Sequence, residues 1–361
     1  MFDFGNANEG QRKAIAAAEG PVLITAGPGT GKTYTLVQRA IYLIEECGLK
    51  PESIFIATFT EKAAKELITR ITNELSDRGI VANINEMYIG TFHSLCLRIL
   101  KEHLEFTRLR RNYRLLDAFD QQYTVFQNIH RFRNIPEVEV ALPNGGAWKQ
   151  SEAICNYVNN LSEELVTPEE LMSDTDLSIA ALGRMLKEYR DVLTEGNLMD
   201  FSSIQIEAYH MLQDNIEILE ELRSKVTHIM VDEYQDTNFI QEQLVFLLAG
   251  DRKNICVVGD DDQGLYRFRG ATIRNILEFP QKFAEGECRV IPLVINYRSN
   301  SDIVDFYNEW MATTDGAKFK FRWDNFRYDK RIEPHKKTTL YSPAVVKLAG
   351  VVVKLFCNTC G

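Results

Sequence analysis

Short uninterrupted apolar runs alternate along this chain with stretches whose apolar residues recur every three or four positions. Pro21–Thr25, Ser53–Thr58 and Met87–Thr91 predict buried strands, each followed by an amphipathic helix, near residues 32–46, 61–77 and 92–104. Thr227–Val231, Asn254–Gly259 and Arg289–Val294 repeat the strand pattern later, again with helical spacing between them. Strand–helix alternation implies an α/β fold with a parallel sheet covered on both faces. The middle, about 105–195, reads differently. It is helical in period and rich in charge, with a loop signal at Pro143-Asn144-Gly145-Gly146, and it predicts an insertion into the α/β core. No internal repeat or low-complexity tract interrupts the pattern.

Composition adds bounds rather than a fold. At 361 residues the chain is long enough for two or three domains. Its 45% hydrophobic and 25% charged residues exclude a disordered or fibrous chain. Met1 to Gly10 has neither a basic stretch nor an apolar run, so no secretory signal is expected there. The most apolar late segment, Ala344 to Phe356, is broken by Lys347 and Lys354 and falls short of the roughly 20 residues of a membrane span. Seven scattered cysteines, an odd number, predict reduced thiols and a cytoplasmic protein. Cys357 and Cys360 form a lone C-x-x-C with no second pair, so no zinc site is expected.

The net charge of −10 argues at first against a nucleic-acid partner. Its distribution removes that argument. Residues 151–224 hold 16 acidic against 4 basic side chains, a net of −12, so the rest of the chain is slightly basic. Arg108, Arg110, Arg111 and Arg114 form one basic stretch, and Lys318 to Lys337 another. A solvated surface accounts for such stretches as readily as a binding face does.

The strongest local signal is Ala26-Gly27-Pro28-Gly29-Thr30-Gly31-Lys32-Thr33, between a predicted strand and a predicted helix. That is the context a phosphate-binding P-loop needs. Glycines let backbone N–H groups turn toward phosphate oxygens at a helix N-terminus. Lys32 would neutralise β- and γ-phosphate charge, and Thr33 would offer its hydroxyl oxygen to Mg²⁺. Ala26 departs from the strict pattern, which has glycine there. A second signal narrows the chemistry. The apolar strand through Val231 ends in Asp232-Glu233. Asp232 would hold Mg²⁺ through a water, and Glu233 would orient and deprotonate an attacking water. A water-activating Glu favours hydrolysis over transfer to another acceptor, which makes a small-molecule kinase a poor alternative.

With these residues in place, the chain resembles the N-terminal part of superfamily 1 DNA helicases of the UvrD/Rep type, from about Asn8 to Asn300. Asn8-Glu9-Gly10-Gln11-Arg12 is similar to the Q motif, Thr58–Ala64 to motif Ia and Gly90–Ser94 to motif Ib. Asp232-Glu233-Tyr234-Gln235-Asp236-Thr237 resembles motif II. Val258–Gln263 with Tyr266, Phe268 and Arg269 resembles motif III, and Asn296-Tyr297-Arg298-Ser299 resembles motif IV. The resemblance implies ATP and Mg²⁺ as cofactors, and single-stranded DNA and duplex junctions as partners. It implies 3′→5′ translocation with unwinding, and no membrane. By the same resemblance Gln11 reads the adenine edge and Tyr297 stacks on adenine. Gln263 senses the γ-phosphate, and Arg298 acts as an arginine finger, a role often worth about 10³-fold or more in rate.

DNA contacts are implied for Phe59, Thr91, His93, Tyr266, Phe268 and Arg269. Base–aromatic stacking contributes about 1–3 kcal/mol per base and tolerates any sequence. Phe268 stands where relatives often carry Trp. The implied architecture is a RecA-like P-loop NTPase sheet with an inserted helical subdomain and the start of a second RecA-like domain. Residues 1–104 and 196–290 would form the first motor domain, 105–195 the insertion, and 291–361 the second domain's start. Tyr341 to Leu348 is expected as that domain's first new strand. Motifs beyond the fourth do not appear before Gly361, so the chain alone is expected to unwind poorly. Two other readings stay open: a subunit of a helicase–nuclease recombination complex, and an ATP-dependent single-strand-binding module without motor activity.

Overall fold

The computed structural model describes residues 2–263, 273–312, 328 and 330–336. Ten strands are present among them. Six form the central sheet: β1 (Val22–Ala26), β2 (Ile54–Thr58), β3 (Tyr88–Thr91), β6 (His228–Val231), β7 (Ile255–Gly259) and β8 (Arg289–Leu293). Two short pairs stand apart from it: β4 (Arg114–Leu115) with β5 (Leu198–Met199), and β9 (Ile295–Asn300) with β10 (Glu333–Lys336). The central order is β3-β2-β6-β7-β1-β8, and every neighbouring pair is parallel.

Burial on both faces explains why these strands are continuous apolar runs. Leu23, Phe55, Ala57, Ile229, Val231, Ile255 and Val257 point into one hydrophobic core. Their alternate neighbours Val22, Ile24, Ile54, Ile56, Met230, Cys256 and Val258 point into another. The helices Glu9–Ala16, Lys32–Glu45 and Glu61–Asp77 cover the second core, and Phe92–Glu102, Phe201–Asp214, Ile216–Lys225 and Phe239–Ala249 cover the first. The first three predicted helices are all present. The third ends at Glu102, because His103 takes a non-helical conformation.

Residues 118–195 form five helices, at Ala118–Gln127, Ile129–Arg133, Ala147–Glu163, Pro168–Met172 and Leu177–Glu195. They close over a third core that includes Leu116, Val125, Phe132, Ile154, Val158, Met185 and Leu193. The Pro143–Gly146 loop signal ends where helix Ala147–Glu163 starts.

The expected boundary at 290/291 falls inside β8. Residues Arg289–Leu293 are one strand, hydrogen-bonded along β1 with Val22 opposite Arg289 and Ala26 opposite Leu293. The sheet therefore runs to Leu293. The expected strand at Tyr341–Leu348 lies outside the described residues, as do the Ala344–Phe356 run and Cys357 and Cys360. Five cysteines, Cys47, Cys96, Cys155, Cys256 and Cys288, are free thiols among the described residues. No described helix is long and apolar enough to cross a membrane.

Candidate functional site

The C-terminal ends of parallel strands share one edge of a sheet, where ligands bind in open α/β folds. β1, β6 and β7 deliver the P-loop, Asp232-Glu233 and Asp260–Gln263 to that edge. Ala26 is the last residue of β1 and is wholly buried, so its methyl fits within the sheet where the strict motif has glycine. Thr30 is buried and its hydroxyl donates to the Gly27 carbonyl at 2.8 Å, closing the loop on itself. Gly31 adopts φ +88° and starts helix Lys32–Glu45 without a side-chain cap. The first N–H groups of that helix are thus left for a ligand, the arrangement that favours phosphate. Lys32 and Thr33 lie in its first turn.

The Lys32 ammonium donates to Glu233 Oε2 at 2.9 Å, bringing the P-loop and the Asp232-Glu233 pair together across 201 residues of sequence. Glu233 itself sits in the left-handed region, φ +50° and ψ +47°. That conformation is strained for a side chain with a Cβ, and such strain concentrates at functional sites. Asp232 is buried beside it. Its carboxyl is pushed up to about 7, first by burial and then by the Glu233 charge, with Lys32 opposing. A cation would relieve both causes. The Gln235 amide nitrogen donates to Glu233 Oε2 at 2.8 Å, and its Oε1 accepts the Asp260 N–H at 3.0 Å. Gln263 in turn donates to Asp260 Oδ2 at 2.6 Å. A continuous hydrogen-bonded path thus joins Lys32 to Gln263.

Two sequence-predicted nucleotide contacts reach the P-loop from outside the sheet. Gln11 is buried. Its Oε1 accepts the Asn8 N–H at 3.0 Å in a capping box, and its Nε2 donates to the Thr30 carbonyl at 3.1 Å. It braces the phosphate loop, and its amide keeps a second lone pair and a second N–H beyond those two bonds. The Tyr297 N–H donates to the Gly29 carbonyl at 2.9 Å, and its hydroxyl accepts from Asn8 Nδ2 at 2.9 Å. Its ring lies 4.7 Å from that of His335. Arg298 is exposed, with its Cβ against Gly29. Asn296 was not singled out from the sequence. It is buried, and its amide donates to the Pro28 carbonyl at 2.6 Å. Pro28 and Gly29 are thereby held by β9.

A second concavity lies on the β2–β3 side of the same edge. It encloses about 500 Å³ and is lined by Thr58, Phe59, Glu61, Thr91, His93, Leu115, Glu163, Phe201 and Asn238, among others. Phe59 is half-buried there. Phe201 is 54% exposed and faces His93 edge-on at 5.4 Å, a residue that sequence reasoning missed. Asp200 was the available signal: it caps the helix that opens at Phe201, leaving an aromatic in an exposed first turn. Thr91 lines the cleft, but its hydroxyl caps helix Phe92–Glu102 and donates to Glu61 at 3.0 Å.

His93 lines the same cleft. Burial pulls it down to about 4, leaving it neutral at pH 7, and its Nε2 lies 2.6 Å from the Gln205 amide nitrogen. Tyr266, Phe268 and Arg269 lie outside the described residues.

Comparison with known proteins agrees with this geometry. Residues 7–284 match the family model of the UvrD/REP helicase N-terminal domain. The chain is 35% identical over 319 residues to the ATP-dependent DNA helicase PcrA of Staphylococcus epidermidis strain RP62A, covering 88% of this chain and 41% of that protein. It is 34% identical over 328 residues to PcrA of Staphylococcus aureus strain Mu50, covering 87% of this chain and 43% of that one. The chain therefore spans about two-fifths of the length of these relatives.

Proposed function

The chain belongs to the UvrD/Rep helicase family, and from that premise we propose that it binds and hydrolyses ATP at the P-loop and binds single-stranded DNA in the adjacent cleft. The observation that carries the proposal is the meeting of Lys32 and Glu233 at 2.9 Å, at the open N-terminus of helix Lys32–Glu45. In this reading the P-loop amides and Lys32 bind the triphosphate. Lys32 then exchanges its bond with Glu233 for phosphate oxygens, freeing that carboxylate to orient a water and take its proton. Gln263 reports on the γ-phosphate. Arg298, beside Gly29, supplies positive charge to the transferring phosphoryl group.

The donor set also fits Mg²⁺. Thr33 offers a hydroxyl oxygen and Asp232 a buried carboxylate whose ionisation a cation would favour. When bound there, Mg²⁺ supplies charge neutralisation at the β- and γ-phosphates.

On the DNA side, Phe59 and Phe201 offer aromatic faces for bases within one cleft, and Thr58, Thr91 and Asn238 line it with polar groups. Movement is proposed as 3′→5′, coupled to unwinding at duplex junctions, with Tyr266, Phe268 and Arg269 proposed as further DNA contacts. The proposed organisation is a motor domain interrupted by the helical insertion, followed from β9 onward by the start of a second RecA-like unit. A fluorescent oligonucleotide titration tests the DNA site. Phe201→Ala is expected to weaken single-strand binding by about tenfold, the scale of one lost stacking contact. Unchanged affinity in both Phe201→Ala and Phe59→Ala removes the cleft from the reading.

A further inference from the structure

The end of β7 carries three consecutive carboxylates, Asp260, Asp261 and Asp262, whose oxygens lie within 4.8 Å of one another. Their side chains are almost completely buried. Three like charges in so dry a place repel one another and lack water, so the loop needs a counter-charge to hold its shape. Lys330 provides one. Its side chain is 2% exposed, and its ammonium donates to Asp260 Oδ1 at 2.5 Å and to Asp261 Oδ1, with Asp262 Oδ2 at 3.5 Å. Burial alone would pull this ammonium down, but the three carboxylates outweigh it and hold it above its ordinary range.

Two neighbours from the same late part of the chain complete the contact. The Tyr307 hydroxyl donates to Asp262 Oδ2 at 2.9 Å, and the Tyr328 N–H donates to Asp261 Oδ2 at 3.2 Å. Asp260 is also the residue whose Oδ2 accepts from Gln263 Nε2 at 2.6 Å and whose own N–H donates to Gln235 Oε1 at 3.0 Å. The path from Lys32 through Glu233, Gln235 and Asp260 therefore does not stop at Gln263. It continues into the segment that carries β9 and β10.

We propose that Lys330 is a positioning residue that couples the β9–β10 segment to the Asp260–Gln263 loop, so that the response of ATP hydrolysis to single-stranded DNA depends on its ion pairs. The inference rests on the ATPase reading above. Lys330 touches neither nucleotide nor DNA in this account. It acts by keeping the Asp260 carboxylate oriented toward Gln263. A shift of that segment would take the counter-charge from three buried carboxylates together. The covalent chemistry of hydrolysis is unchanged by this role.

The test compares wild type, Lys330→Met, Lys330→Arg and Tyr307→Phe in the 361-residue chain. Steady-state ATP hydrolysis is measured with and without a poly-dT oligonucleotide, beside fluorescent-nucleotide binding and thermal melting. Lys330→Met is expected to reduce the DNA-stimulated kcat by about tenfold or more, the scale of a misplaced active-site group. Nucleotide affinity and the KM for ATP should stay near wild type. Lys330→Arg keeps the charge and should recover much of the stimulation. Tyr307→Phe strands no charge and should lower stimulation by a smaller factor with little change in melting.

A folded Lys330→Met chain with wild-type stimulation overturns the proposal. If Lys330→Met does not fold, wild-type stimulation in Tyr307→Phe overturns it instead. A wild-type chain that hydrolyses ATP indifferently to the oligonucleotide also counts against the coupling. A wild-type chain that binds no nucleotide overturns the ATPase reading beneath it.

Discussion

Glu233 combines a strained backbone, a salt bridge to Lys32 and a hydrogen bond from Gln235. Replacing its charge while keeping its shape separates those roles. Glu233→Gln is expected to retain nucleotide binding and to lower hydrolysis by about 100-fold or more, the range for removal of a general base. His93 permits a prediction about stability. Its folded-state value is about 4, against an ordinary value of 6.5, and burial is the cause. The unfolded chain therefore takes up a proton between those values while the native chain does not. Stability is fully present above about 6.5 and falls as pH drops toward 4. His228 is depressed to about 4 as well, by burial and by Arg39 and Arg252, and shares this slope. Melting measured from pH 7 to 4 should fall less steeply in His93→Gln than in wild type. An unchanged slope would show that His93 is not held neutral.

At the level of elements, the contact between β9 and the P-loop is the joint on which the proposed function turns. Gly29 has φ +71°, and a Cβ there would meet Arg298 Cβ at 2.7 Å and Asn296 Nδ2 at 2.9 Å. Gly48 has φ +68°, and a Cβ there would meet nothing within 4 Å. Each Ala replacement costs about 1–2 kcal/mol for the left-handed backbone. Only Gly29→Ala adds a collision. Gly29→Ala is thus expected to weaken fluorescent-nucleotide binding and destabilise the chain more than Gly48→Ala, which should bind as wild type does. Equal effects in the two variants would argue that β9 does not constrain the loop.

The same elements show what was legible beforehand. The six strands of the sheet were readable to within a residue or so, because two-sided burial writes each of them as an apolar run. β9 and β10 were not. Asn296-Tyr297-Arg298-Ser299-Asn300 and Glu333–Lys336 carry polar and charged residues, and they are strands because they pair with each other. The P-loop and Asp232-Glu233 were legible as local strings. Phe201 was not, because its place in the cleft depends on helices far apart in sequence. Lys330 was invisible for the same reason: its partners lie about 70 residues away.

Across the whole molecule, the third core makes a distinct prediction. Phe132 is fully buried among Leu116, Val125, Ile154, Met185 and other apolar side chains that are separate from both cores of the sheet. Phe132→Ala should cost about 3–5 kcal/mol. The loss should be concentrated in the helices between residues 118 and 195. Hydrogen exchange there should rise while β1 and β7 keep their protection. A uniform rise through the sheet would mean that the three cores unfold as one unit.

The central claim, that the P-loop edge hydrolyses ATP in response to single-stranded DNA, is tested most directly by steady-state ATP turnover with and without a single-stranded oligonucleotide. Wild type, Lys32→Ala and Glu233→Gln should be measured side by side. The account predicts turnover that the oligonucleotide stimulates, abolished in both variants, with nucleotide binding weakened by Lys32→Ala and kept by Glu233→Gln. Turnover that survives Glu233→Gln, or that ignores the oligonucleotide, would contradict it.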